Sequence, residues 1–179
     1  MEKPCRSLAD ARARARWQHA AMSWRTLALT DSCPGRLWLG PMPGRFERWP
    51  VFLAEARRHR LDLVVCLTPQ DELASLSPAY WQAVAEGSLD FRFINLPMQN
   101  YGLPRDPAAF RAGIEQIAGS LCAGDKVFMH CAAGIGRTGT VAACLLKRLG
   151  LSTSEAVQRV RDAGSNPETA LQSGLVDRF

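Results

Sequence analysis

A cysteine and an arginine stand six residues apart in the segment HCAAGIGRTG, and mostly alanine and glycine separate them. A Gly-rich turn that enters a helix directs several backbone N–H groups into one concavity, where the helix dipole adds positive potential. Small residues leave room for an oxyanion to approach the backbone. Arg137 can hold two phosphate oxygens with its planar guanidinium, which a lysine cannot do. The spacing therefore predicts a phosphate-binding loop formed by Ala132, Ala133, Gly134, Ile135, Gly136 and Arg137.

Cys131 stands at the start of this loop and is the candidate nucleophile. A thiol at a helix N-terminus beside an arginine loses its proton readily, so we expect a thiolate aimed at the bound phosphorus. A structural turn with a buried cysteine is the alternative, but it does not require His, Cys, Gly, Arg and Thr at fixed spacing. A nucleotide-type phosphate loop is excluded because the GK[ST] sequence is absent.

The elements that position this loop alternate between strands and helices. Apolar runs at residues 61–67 and 126–131 predict strands buried on both faces, and residues 36–40 and 89–96 predict two more. Helices are predicted between the strands and in three segments that follow the loop. The fold class expected from this alternation is α/β, with a central mixed, mostly parallel sheet and helices on both faces. Cys131 would then lie at the carboxyl end of a strand, where open sheets bind ligands.

Composition restricts the class of protein. The chain has 179 residues, of which 47% are hydrophobic and 22% charged, as in an ordinary globular domain. No apolar run approaches the roughly 20 residues that span a bilayer, so no transmembrane segment is expected. Six cysteines without a CxxC pair favour a reduced, cytoplasmic protein. The net charge of +5 suits an anionic substrate, an acidic partner or a membrane surface.

Residues 130–139 match the HCxxGxxR[ST]G motif, and the chain resembles cysteine-based protein tyrosine phosphatases. It is similar to the small dual-specificity type, above all to the cyclin-dependent-kinase-associated phosphatase-like group. Three further segments carry the resemblance: LWLGPMPG at residues 37–44, CLTPQDEL at 66–73 and PMQNYGLP at 97–104. The resemblance implies the protein tyrosine phosphatase fold. It also implies a protein phosphatase that hydrolyses phosphotyrosine, with phosphoserine and phosphothreonine as further candidates.

The resemblance also implies a role for each residue of the motif. It implies no metal or cofactor, and no nucleic acid is expected as a partner. Cys131 would form a phosphocysteine, Arg137 and the loop amides would hold the phosphate oxygens, and water would hydrolyse the intermediate. Thr138 would donate its hydroxyl to the departing thiolate. His130 would order the loop by hydrogen bonds, although a histidine satisfied within the core is an equal alternative. Gln172 stands where relatives carry a water-positioning glutamine, and Glu168 is the other possible match.

One position departs from the family pattern. When Pro97, Gly102 and Pro104 are aligned with the PIxDxGxP loop, Asn100 occupies the position of the general acid. A leaving tyrosinate, whose conjugate acid has a pKa near 10, needs a proton at neutral pH, and an amide cannot supply one. Glu72 is a possible alternative acid, and Asp106 is a weaker candidate because it suits a helix cap. The alternative function is therefore a weakly active or inactive phosphatase-like module that binds phosphorylated partners.

The N-terminal residues differ from the rest. Residues 7–30 are rich in alanine and arginine and predict a basic helix, so we divide the chain into a helical extension (1–30) and a phosphatase domain (31–179). A helix packed on the domain and a surface that binds an acidic partner or membrane are the alternatives for this extension. Removal of residues 1–30 is expected to leave activity largely intact.

Overall fold

The computed structural model describes residues 24–179, and a five-stranded sheet forms its centre. The strand order is β1-β2-β5-β3-β4, in which β1 runs antiparallel to β2 and every other pair is parallel. The strands are β1 (Arg25–Leu27), β2 (Arg36–Gly40), β3 (Leu63–Cys66), β4 (Arg92–Asn95) and β5 (Lys126–His130). This confirms the predicted mixed, mostly parallel sheet. Because Gly40 and Cys66 both pair with His130, three parallel strands end at the same edge.

Helices cover both faces of the sheet. They are α1 (Trp49–His59), α2 (Gln70–Leu76), α3 (Pro78–Ala85), α4 (Pro107–Cys122), α5 (Gly136–Arg148), α6 (Thr153–Asp162) and α7 (Ala170–Arg178). The start of α4 shows why helices begin where they do. Pro107 has no N–H to leave unpaired in the first turn, and the Asp106 side chain accepts from the N–H groups of Ala108 and Ala109 at 2.9 and 3.0 Å. None of the described helices is long and apolar enough to cross a membrane.

The central strand β5 divides the core into two clusters. Val127 and Met129 pack on the side of α4–α7, whereas Phe128 packs with the aromatic cluster on the side of α1–α3. Alternate side chains of this strand therefore enter opposite faces, and all of them from Val127 to His130 are buried. The continuous apolar run in the sequence has this physical origin, since neither face of the strand meets water.

The helix predicted for residues 7–30 is wrong at its C-terminal end. Arg25–Leu27 forms an edge strand paired with residues 37–39, and Trp24 packs its ring 4.6 Å from that of Phe128. Side chains alternate here: Leu27 is buried with the α4–α7 cluster, whereas Thr26 is exposed. Residues 25–27 thus add a strand to the sheet of the domain, and residues 1–23 of the predicted extension lie outside the described residues. Helix α2, which was not predicted, follows Pro69 directly.

Candidate active site

The loop between β5 and α5 carries the candidate nucleophile at the edge where the parallel strands end. Cys131 is 3% exposed, and the N–H of Gly134 donates to its Sγ at 3.2 Å. Gly134 has φ +75°, and an ideal Cβ there would lie 2.3 Å from the carbonyl oxygen of Gly40, so only glycine fits. No side chain caps the N-terminus of α5. Its first N–H groups are therefore available to an anion.

Arg137 is held in place before any substrate arrives. Its two terminal nitrogens donate to the two carboxylate oxygens of Glu72, each at 2.7 Å, and Nη1 also lies 3.4 Å from the carbonyl oxygen of Met98. The arginine side chain is only 3% exposed. Burial alone would lower the pKa of the Arg137 guanidinium, but the Glu72 carboxylate and the nearby Cys131 thiol raise it above its ordinary value. A fixed positive charge thus faces the thiol.

His130 connects the start of the loop to helix α3. Its Nδ1 lies 3.2 Å from the carbonyl oxygen of Cys131, and its Nε2 lies 3.1 Å from the hydroxyl of Tyr80. A carbonyl oxygen only accepts, so we assign the proton to Nδ1, and Nε2 accepts from Tyr80. Burial lowers the pKa of His130 to about 3, while its bond to Cys131 opposes that shift. The imidazole is therefore neutral, and it joins two elements through its two nitrogens.

A pocket of about 340 Å³ brings most of the predicted residues together. Its lining includes Glu72, Asn100, Cys131, Ala132, Ala133, Gly136 and Arg137, all of which the sequence had singled out. Gly134 and Ile135 complete the loop. Gly134 lies at its back, where its carbonyl oxygen accepts from the Ser165 hydroxyl at 2.8 Å, and the Ile135 side chain is 41% exposed.

Thr138 and Gln172 lie behind the pocket rather than in its lining. Both side chains are completely buried. Within the described part of the chain, Thr138 Oγ1 and Gln172 Nε2 have no hydrogen-bond partner. A buried hydroxyl without a partner one residue after Arg137 is free to rotate toward a new acceptor.

Asn100 reaches the pocket from a loop closed by a bridge between Met98 and Pro104. The side chain is exposed at the rim. Its neighbour Tyr101 also lines the pocket, is 57% exposed and has φ +55°, a conformation that costs free energy for a residue with a bulky side chain. The Thr169 hydroxyl donates to the carbonyl oxygen of Tyr101 at 3.3 Å, which connects this rim to the start of α7.

Glu168 faces the site, a placement that the sequence left open. An ideal Cβ on Gly136 would lie 1.9 Å from its Oε2, so the carboxylate lies directly against the loop predicted to bind phosphate. Gln172 supports Glu168 from behind, because its Oε1 accepts from the Glu168 N–H at 2.9 Å. Among the described ion pairs, none involves Glu168, whereas Glu72 is paired with Arg137. The pocket therefore holds one engaged and one free carboxylate.

Two further residues, Arg45 and Asp106, lie at or beside the pocket. Arg45 lines the pocket from the segment between β2 and α1, and no motif spacing pointed to it. Asp106 caps α4, the role that the sequence favoured for it over that of a candidate acid. It lines an adjoining groove that also contains Glu72 and Asn100.

Comparison with known proteins places this geometry in a family. Residues 52–173 match the family described as "Swiss Army Knife protein, DSP-PTPase phosphatase domain". The chain belongs to this phosphatase family. The resemblance found in the sequence to the small dual-specificity type is thereby confirmed. None of the curated proteins searched matches the phosphatase in sequence.

Solved structures share the fold of the phosphatase. A kinase associated phosphatase with its catalytic-site cysteine replaced by serine superposes with a TM-score of 0.77 at 21% identity, covering 88% of this chain and 93% of that one. The active form of Tk-PTP gives 0.63 at 27% identity, with 84% and 97% covered. A human tyrosine phosphatase-like serine/threonine/tyrosine-interacting protein gives 0.62 at 24% identity, with 86% and 93% covered.

Proposed function

We propose that this phosphatase domain hydrolyses phosphotyrosine in proteins, with phosphoserine and phosphothreonine as further substrates, through a phosphocysteine intermediate. The observation that carries the proposal is the meeting of three groups in one pocket: the Cys131 sulfur, the pre-oriented Arg137 guanidinium and the uncapped N-terminus of α5. These are a nucleophile for phosphorus and two sets of donors for phosphate oxygens.

In the first step, Cys131 attacks phosphorus and the ester oxygen leaves. The Gly134 N–H that donates to Sγ stabilises negative charge on the sulfur. Arg137 takes phosphate oxygens with the N–H groups that do not bond Glu72, so Glu72 keeps its two bonds to the guanidinium and is a positioning carboxylate in this proposal. A proton on Glu72 would remove one of its two bonds to Arg137, which makes it a poor general acid.

In the second step, water attacks the phosphocysteine and the thiolate leaves. Glu168 holds and deprotonates that water, because its carboxylate lies against Gly136 and has no described ionic partner. The Thr138 hydroxyl donates to the departing sulfur, a role that fits its lack of any other partner. The binding module without turnover is not proposed, since both Cys131 and Arg137 are present and in place.

The test is turnover of 4-nitrophenyl phosphate by purified protein. Cys131→Ser should abolish turnover and retain tungstate binding, because the amides and Arg137 remain. Cys122→Ser is the matched control on the exposed end of α4 and should behave as wild type. An active Cys131→Ser variant, or an inactive wild type, would refute the proposal.

The role of Glu168 has its own measurement in the same assay. Glu168→Gln should slow hydrolysis of the intermediate more than its formation. A burst of nitrophenol equal to the enzyme concentration should then precede slow steady-state turnover. Unchanged steady-state turnover would remove Glu168 from the mechanism.

A further inference from the structure

The edge strand β1 sends an arginine to the back of the phosphate-binding loop. Arg25 pairs with Leu39 in the sheet, and its guanidinium donates to the carbonyl oxygens of Gly134 and Gly164. Burial lowers the pKa of Arg25 from its ordinary value, and the nearby Cys131 thiol opposes that shift. Arg25 lies outside the residues 52–173 that match the family, and the loop motif does not point to it.

The direction of the Gly134 carbonyl decides where a neighbouring amide points. The carbonyl oxygen accepts from Arg25 and from the Ser165 hydroxyl, so it is turned away from the pocket. The peptide bond to Ile135 is trans, as are all described peptide bonds, and in a trans peptide the C=O and N–H groups point in opposite directions. The Ile135 N–H is therefore turned toward the pocket side of the loop, where a phosphate would lie.

Glycine at this position makes such a restraint necessary. Gly134 has φ +75°, and because glycine has no Cβ its backbone resists rotation of the Gly134–Ile135 peptide only weakly. A rotated peptide would present the carbonyl oxygen to the phosphate and remove the N–H. A cation at the carbonyl opposes that rotation and polarises the peptide, which strengthens its N–H as a donor.

We infer that Arg25 is a positioning residue for anion binding, which acts by holding the Gly134–Ile135 peptide with its N–H toward the phosphate. The inference rests on the proposed function only in taking the loop as the phosphate site. The alternative is a structural tie between β1 and the turn after α6, to which Gly164 belongs.

A second arginine supplies a matched control. Arg159 of α6 donates through Nη1 to the carbonyl oxygens of Leu29 and Ala28, at 2.6 and 3.3 Å. It therefore connects the segment after β1 to α6, the helix that precedes Gly164, and makes no contact with the loop between β5 and α5. Arg25→Gln and Arg159→Gln each remove one charged tie of this N-terminal segment, and only the first frees the Gly134 carbonyl.

The experiment measures tungstate affinity by calorimetry in the Cys131→Ser background, with thermal unfolding of each variant alongside. Arg25→Gln should weaken tungstate binding about 10-fold or more, as expected for loss of a charge-assisted hydrogen bond. Arg159→Gln should stay within about 2-fold of the parent, in line with a change remote from the loop. Equal losses in the two variants, or none in Arg25→Gln, would overturn the inference.

A milder pair of variants keeps the test decisive if Arg25→Gln fails to fold. Arg25→Lys keeps the charge but cannot reach both carbonyls, and Ser165→Ala removes the other donor to Gly134. Their effects on tungstate binding should be non-additive, because both act on one carbonyl oxygen. Additive effects would count against the shared-peptide mechanism. The proposed function fails separately, if the wild type with intact Cys131 does not turn over 4-nitrophenyl phosphate.

Discussion

Asn100 is the residue that the sequence alignment placed at the position of the general acid. The side chain is at the rim of the Cys131 pocket, where an amide can hydrogen-bond to the leaving oxygen but cannot protonate it. An acidic leaving group departs readily without a proton, whereas tyrosinate, whose conjugate acid has a pKa near 10, departs slowly when only water can protonate it. Comparing turnover of the two kinds of substrate therefore separates the effect of phosphate binding and nucleophilic attack from the effect of leaving-group protonation.

Asn100→Asp should raise turnover of phosphotyrosine and leave turnover of 4-nitrophenyl phosphate almost unchanged. General acid catalysis contributes about 10²- to 10⁴-fold, which sets the upper range of the gain. Steady-state kinetics with both substrates measures it. Gln99→Asp is the control, since it adds the same charge to the same loop without lining the Cys131 pocket.

Glu72→Gln tests whether Glu72 positions Arg137 or acts as the general acid. A residue that positions Arg137 should be needed for both substrates equally, whereas an acid should be needed for phosphotyrosine alone. If Asn100→Asp changes nothing and Glu72→Gln affects neither substrate, the placement of this loop over the site is wrong.

His130 makes the stability of the fold depend on pH. Its pKa is about 3 in the folded protein, against about 6.5 in an unfolded chain. Above pH 6.5 both states are neutral at this residue, so it contributes no pH dependence. Below it, the unfolded state binds a proton that the folded state does not, and stability falls until about pH 3. From pH 6.5 to 5 the loss is about 2 kcal/mol.

Urea unfolding at pH 7 and pH 5 measures that loss. In His130→Asn the Nδ2 group can replace the imidazole N–H toward Cys131, and the variant has no titrating group there. It should be less stable at pH 7 but should decline less between the two pH values. An equally steep decline in the variant would assign the acid sensitivity to other groups.

The sequence could predict that Cys131, the candidate nucleophile, and Arg137 lie together, because their spacing is local to one turn. It could not choose between Glu168 and Gln172, because either residue can be aligned with the water-positioning glutamine of the resembled family. The irregular segment before α7 determines which of the two side chains faces the pocket. It also missed Arg25, since contact between a strand and a loop over 100 residues away leaves no local pattern.

At the scale of elements, the strands β2 to β5 were predicted and β1 was not. β3 and β5 are buried on both faces and therefore carry continuous apolar runs. β1 has three residues within an Arg- and Ala-rich segment, too few for a period of two to be recognised. The helix α2 has seven residues and no side-chain cap, so packing of Leu73 and pairing of Glu72 stabilise it rather than its own sequence.

Glycine is required at position 134 in the loop between β5 and α5, but not at position 119 in helix α4. Gly134→Ala should destabilise the protein by about 2 kcal/mol or more, because it combines a positive φ with a clash against backbone. It should also abolish tungstate binding. Gly119→Ala in α4 meets no atom within 4 Å and should stabilise by about 0.5–1 kcal/mol.

Chemical denaturation and tungstate titration of the two variants test this contrast. The same added methyl group should give opposite signs of stability change at the two positions. A Gly134→Ala variant with parental stability and affinity would show that the loop adopts another conformation.

At the scale of the whole molecule, the boundary of the domain lies earlier than the composition suggested. Removal of residues 1–30 was expected to leave activity largely intact, but residues 24–30 contain β1, Arg25 and the Trp24 ring that packs against Phe128. The fold class, the strand edge that carries the site and most helix positions could be predicted from alternation of elements. The N-terminal edge could not, because its role depends on pairing with β2.

Two truncations isolate that edge. A chain that starts at residue 31 should unfold about 10 °C below one that starts at residue 24, since it loses the buried Leu27 and the partly buried Trp24 side chains. It should also bind tungstate more weakly, because Arg25 is gone. Calorimetry and titration of both chains provide the comparison, and equal behaviour would place residues 24–30 outside the functional domain.

The strand order also determines when the site can form during synthesis. β5 lies between β2 and β3, yet it emerges from the ribosome after both of them and after β4. Until then, β1–β2 and β3–β4 are separate pairs, each with an unpaired apolar edge that can join a wrong partner. Insertion of β5 closes contacts about 90 residues apart in sequence, such as Leu37 with Val127, which makes folding slow. Cys131 directly follows this last strand, so a nascent chain acquires its phosphate site only as the sheet is completed.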